Sequence, residues 1–108
     1  SSQLAASGYY SKLASSGYYS QLASSGDYSQ LAASGYFSKL EMSGKDSVGA
    51  NIGIKGRIKG KKGNWITLAE YDDNKPICVK SVFIDGKKIK EDVWYILEDK
   101  KFKEYGEI

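Results

Sequence analysis

Small and polar residues fill the first half of the chain, and apolar ones return on a fixed beat. Leu4, Leu13, Leu22, Leu31 and Leu40 stand nine residues apart. Gly8, Gly17, Gly26, Gly35, Gly44 and Gly53 keep the same step, as do Ser11, Ser20, Ser29, Ser38 and Ser47. The unit reads S-G-x-(Y/F)-S-(K/Q)-L-(A/E)-x. Its register outlasts its obvious sequence: Ala50 falls where Ala32 and Glu41 fall, and Ile58 lies eighteen residues beyond Leu40. The repeat degenerates near Gly60 and is gone by Trp65. A fixed short period is the mark of stacked supersecondary units.

Three conformations compete for this period. A helix must accept one Gly in every nine residues, each costing about 1 kcal/mol relative to Ala. It would also place successive Leu on opposite faces, leaving no apolar stripe. A flexible Ser/Gly linker needs no Leu or aromatic at fixed positions. A β-solenoid uses every feature. Each nonapeptide supplies a short strand and a tight turn, Ser-Gly marks the turn with Gly free to take positive φ, and two units close an eighteen-residue coil. Side chains alternate along a strand, so Ser20, Leu22 and Ser24 point inward while Tyr19, Gln21 and Ala23 face out. The expected class is therefore all-β, a β-solenoid over residues 1–63 with a C-terminal antiparallel β cap over 64–108.

Coils stack about 4.8 Å apart, so eighteen-residue steps become ladders. Leu4, Leu22, Leu40 and Ile58 line one side of the interior, and Leu13 and Leu31 face them. Outside, Tyr10 stacks over Tyr28 and Tyr19 over Phe37. These four rings either cover and stiffen the coil or form a docking surface for another chain or a ligand.

The second half alternates differently. Trp65–Tyr71 reads as a strand with Ile66 and Leu68 on one face, followed by a turn at residues 72–75. Ile77–Ile84 is the next strand, Asp85-Gly86 a hairpin turn, and Lys87–Ile89 the returning strand. Val93–Leu97 and Phe102–Tyr105 make a last pair. A solenoid end exposes backbone groups and apolar side chains and needs a cap. Trp65, Trp94, Ile66, Leu68, Val82, Ile84, Ile96 and Leu97 are the residues to supply it.

Charge adds one local feature. The net charge is +3 over 108 residues, but residues 45–63 hold six basic side chains and one acid. Within IKGRIKGKKG, the cations Lys55, Arg57, Lys59, Lys61 and Lys62 alternate with Ile and Gly. They form either an outward basic face on the last coil or a polyanion site. The segment lacks the G-K-[ST] of a P-loop.

The inventory for catalysis is poor. The sequence contains no His, the commonest general base. Cys78 is the sole cysteine, so no internal disulfide forms, and its place in an apolar strand reads as a packed thiol. Asp72-Asp73 sits in a turn, and no Ser lies in a nucleophile elbow. The chain reads as a non-enzyme with no catalytic residue, cofactor or metal. No apolar run approaches the roughly 20 residues of a membrane helix, and no signal peptide is visible. A cytoplasmic or virion-associated setting is expected. The chain opens in mid-repeat without Met, which suggests a fragment of a longer protein whose upstream part could carry an activity.

The nonapeptide length is similar to that of the calcium-binding β-rolls of secreted toxins, whose repeat is G-G-x-G-x-D-x-U-x. With U aligned to Leu22, Ser20 stands at the Asp position, so the resemblance implies geometry without calcium. A fold-level likeness to the β-roll heads of trimeric adhesins is weaker. The stretch SGYYSKLASSGYYSQLASSGDYSQLAASG, together with GKDSVGANIGIKGRIKG and GNWITLAEYDDNKPICVKSVFIDGKKIKEDVWYILEDKKFKEY, resembles proteins of clostridia and their phages over essentially the whole chain. That resemblance implies a repeat scaffold of phage or prophage origin and no particular reaction. The expected partners are further copies of the chain, as a dimer or trimer, or its own upstream part. Nucleic acid or another polyanion is the alternative, and a membrane is not expected.

Overall fold

A computed structural model describes residues 3–6, 8, 10, 12–15 and 18–105. Ser11 and Gly17, which the repeat reading uses, lie outside the described residues, as do the ends of the chain. The fold is an all-β solenoid closed at its C-terminal end by antiparallel strands. Seven short strands wind the coils: β1 (Gln3–Ala6), β2 (Lys12–Ser15), β3 (Gln21–Ser24), β4 (Gln30–Ala33), β5 (Lys39–Met42), β6 (Val48–Asn51) and β7 (Arg57–Lys59). Four more follow: β8 (Trp65–Asp72), β9 (Lys75–Phe83), β10 (Tyr95–Glu98) and β11 (Lys101–Glu104). Alternate strands fall into two sheets, ordered β1-β3-β5-β7-β10-β11 and β2-β4-β6-β8-β9.

The eighteen-residue coil follows directly from the register. Leu4 pairs with Leu22, Leu22 with Leu40, and Leu40 with Ile58, all in parallel. Across the interior Leu13 pairs with Leu31. Burial alternates with the strand: Ser20, Leu22 and Ser24 are buried, whereas Tyr19, Gln21 and Ala23 are exposed. The interior serines satisfy one another at the corners, with the Ser15 hydroxyl donating to Ser20 at 2.7 Å and that of Ser24 to Ser29 at 2.8 Å. A narrow interior can thus hold hydroxyls without orphaning them.

The role of the repeated glycine differs from the expectation. Positive φ falls two residues later, at Tyr10, Tyr19, Tyr28, Phe37, Asp46 and Lys55. The left-handed residue donates its N–H to the next coil, as from Tyr19 to the Tyr36 carbonyl at 2.8 Å and from Phe37 to that of Ile54 at 2.9 Å. Gly is needed for close approach instead. A Cβ on Gly44 would lie 2.1 Å from the Gly26 carbonyl oxygen, and one on Gly53 equally close to that of Gly35.

The coil geometry also outlasts the repeat, at the cost of one residue. β8 pairs in parallel with β6, but Val48 faces Trp65, seventeen residues on. Asn64 makes this splice. Its Oδ1 accepts from the Ser47 N–H at 2.9 Å, the place that the Ser47 hydroxyl fills for the Ser29 N–H one coil earlier. Inside, Gly49 takes the Leu31 register and leaves room for Met42, whose Cε lies 2.8 Å from where a Gly49 Cβ would stand.

The cap forms on both sheets. β9 folds back on β8 through a tight turn whose Asp73 and Asn74 both take positive φ, as a type I′ hairpin requires. β10 runs antiparallel to β7, and β11 to β10. Between β9 and β10 the chain crosses the open end, burying Ile84 and Ile89. Lys87–Ile89 is not the expected returning strand. Asp85 Oδ1 accepts three successive N–H groups, from Lys87, Lys88 and Ile89, at 2.8–3.1 Å. A side-chain acceptor replaces the strand ladder here. Of the expected cap residues, Ile66, Leu68, Ile84 and Leu97 are buried and Val82, Trp94 and Ile96 half-buried. Trp65 is corrected: it faces outward and is exposed.

Candidate functional site

The winding of the solenoid separates the expected aromatic residues. Tyr10 and Tyr28 occupy the corner between odd and even strands, with ring centroids 5.2 Å apart. Tyr19 and Phe37 occupy the opposite corner, also 5.2 Å apart. A third ladder, Tyr18 over Tyr36 at 4.9 Å, runs beside Tyr19 and Phe37. The repeat unit made it legible, since Tyr18 and Tyr36 also stand eighteen residues apart. Interplanar angles are 8–13°. Because ring planes lie across the solenoid axis, each ring spends a face on its neighbour. Exposure falls from 60% at Tyr18 to 36% at Tyr36, so the N-terminal ring of the ladder keeps the more open surface.

The basic segment is drawn into the cap. The Arg57 guanidinium lies 4.5 Å from the Tyr105 ring centroid. Lys59 Nζ lies 5.0 Å from that of Trp94 and 3.7 Å from the Glu41 carboxylate. Lys61 Nζ meets Asp92 at 2.7 Å, and this hydrogen bond, ahead of the surrounding carboxylates, raises the Lys61 pKa. Lys62 donates its backbone N–H to Glu91, and Lys55 is exposed at the Tyr19–Phe37 corner. The partners Trp94, Tyr105 and Asp92 lie 31–48 residues downstream, so local sequence carried no signal of them.

A cleft of about 320 Å³ lies between this corner and the cap, lined among others by Phe37, Lys55, Arg57, Glu70, Glu98 and Tyr105. Glu70 is occupied: its carboxylate accepts from the N–H groups of Asp99 and Lys100 at 2.8 and 2.7 Å, fixing the β10–β11 turn to β8. Cys78 is half-buried opposite Glu70. Asp72 and Asp73 sit exposed at the tip of the β8–β9 hairpin. Among the described residues no three His, Cys, Asp or Glu side chains gather as a metal site, and no helix is long and apolar enough to cross a membrane.

The fold defines a capped parallel β-solenoid with stacked aromatic corners, in which Arg57, Lys59 and Lys61 engage the cap. No family model, curated protein or solved structure matches the chain.

Proposed function

We propose that this chain is a structural β-solenoid module of a phage or prophage protein, with no activity of its own, that works by rigid stacking and self-association. The observation that carries this reading is the engagement of its chemistry-bearing side chains within the fold: rings against rings, and Arg57, Lys59 and Lys61 against Tyr105, Trp94 and Asp92. The resemblance to clostridial phage proteins supports the setting. A second reading, a binding module for a protein, glycan or polyanion, draws on the exposed Lys55 and Lys62 and the outward ring edges.

Titration with a short DNA duplex at low salt separates the two. The structural reading expects no saturable binding. Binding whose affinity falls with salt at a log–log slope near −0.9 per phosphate contacted, and which Lys55→Gln and Lys62→Gln weaken, would establish the second instead.

A further inference from the structure

We infer that the outward face of the β2-β4-β6-β8-β9 sheet is a homodimer interface on which two copies pack face to face with antiparallel solenoid axes. The inference rests on the structural reading above and names its surface. Two rows cross the strands of this face. One reads Lys12, Gln30, Val48, Trp65, Phe83, and the other Ala14, Ala32, Ala50, Thr67, Ser81. Lys12, at one end, is the sole charge in either row. The opposite sheet presents Lys39, Glu41, Arg57 and Lys59 and is partly roofed by Trp94 and Tyr105. Val48, Trp65 and Phe83 are exposed, and so are the flanking Ile52, Ile77 and Val79. A contiguous uncharged face of this kind marks an interaction surface, and it matches a second uncharged face rather than a charged partner.

Its relief is self-complementary. The N-terminal half is low, with shallow grooves of about 390 and 430 Å³ on either side of Ala14 and Ala32. The C-terminal half stands high, with the Trp65 and Phe83 rings 5.4 Å apart and tilted by 59°. A two-fold axis along the strands, passing through β6, sets Trp65 over Gln30 of the second copy, Phe83 over Lys12, and Thr67 over Ala32. The high half of each copy then enters the low half of the other. Ala50 lies on the axis and faces itself.

The size is sufficient for a weak dimer. Five strands of four to nine residues, about 4.8 Å apart and rising about 3.3 Å per residue, span roughly 450 Å² per copy in projection. Two copies together reach roughly 900 Å², within the range of weak interfaces. The tyrosine corners are poorer candidates, because these ladders are two rings long and give way to a charged residue, Asp46 after Tyr28 and Lys55 after Phe37.

Sedimentation equilibrium from about 5 μM to about 1 mM, under reducing conditions, tests the interface. A monomer–dimer equilibrium in the micromolar range is expected, and Ala32→Arg and Trp65→Lys should each weaken it about tenfold or more with an unchanged far-ultraviolet spectrum. In a Cys78→Ser background, Ala50→Cys should cross-link to itself on oxidation much faster than Ala23→Cys on the other sheet. A monomeric mass throughout, a dimer indifferent to both substitutions, or equal cross-linking at the two cysteines would overturn the interface. If the wild type lacked a β spectrum, the solenoid reading itself would fall with it.

Discussion

Six residues, from Tyr10 to Lys55, repeat a backbone conformation that L-amino acids avoid. A left-handed residue other than Gly, Asn or Asp costs about 1–2 kcal/mol. At Phe37 the cost is offset by stacking on Tyr19 and by the hydrogen bond to Ile54. The two contributions separate by substitution. Phe37→Ala removes the stack and keeps the strain, whereas Phe37→Gly removes both. Glycine also loses about 0.4–1 kcal/mol through its freer unfolded state. Phe37→Gly should still come out about 0.5–1 kcal/mol more stable than Phe37→Ala in urea titration, the reverse of the order at positions with negative φ. Equal stabilities would mean that the turn relaxes away from positive φ.

One carboxylate organises the turn at the start of the plug between β9 and β10. Accepting N–H groups from Lys87, Ile89 and Lys88 keeps the Asp85 pKa below its ordinary value, about 3.9. A depressed carboxyl pKa contributes stability above the unfolded value, and that contribution is lost as pH falls through the folded one. Below about pH 4 the loop at residues 85–89 should therefore loosen while the coils remain folded. Amide exchange of Lys87, Lys88 and Ile89, corrected for its intrinsic pH dependence, should show the loss of protection. Asp85→Asn keeps an acceptor at the same place and should flatten the response. The sequence reads as a strand here because Lys87–Ile89 has a plausible alternating pattern, whereas the Asp85 carboxylate bonds locally to the N–H groups two to four residues on and so competes with a strand ladder.

Over the whole molecule, contacts run chiefly between neighbouring coils, as in repeat proteins generally. β1 pairs with β3 and β2 with β4, whereas the inner strands pair on both sides. Leu4 and Leu13 are half-buried, but Leu22, Leu31 and Leu40 are buried. Stability should therefore be graded along the axis, greatest from β5 to β8. Native-state amide exchange should find Leu13 opening at a free energy below that of Leu40 and Leu68. One common value at all three would indicate a single cooperative unit.

The period determined much of this by itself. Identical residues at eighteen-residue spacing can stack in register, and alternation then sorts Ser and Leu inward and Tyr and Gln outward. Tyr10 over Tyr28 and the Leu4–Ile58 ladder follow from counting alone. Tertiary structure decided what depends on contacts between residues distant in the chain or on backbone sterics. It placed positive φ two residues after the repeated Gly, and it set the need for Gly elsewhere, because close coil approach leaves no room for a Cβ at Gly44. It extended the coil past the repeat, because Asn64 reaches the Ser47 N–H that a repeat serine would have met. It engaged the basic segment with Trp94 and Tyr105, whose distance in sequence concealed that they close the solenoid end.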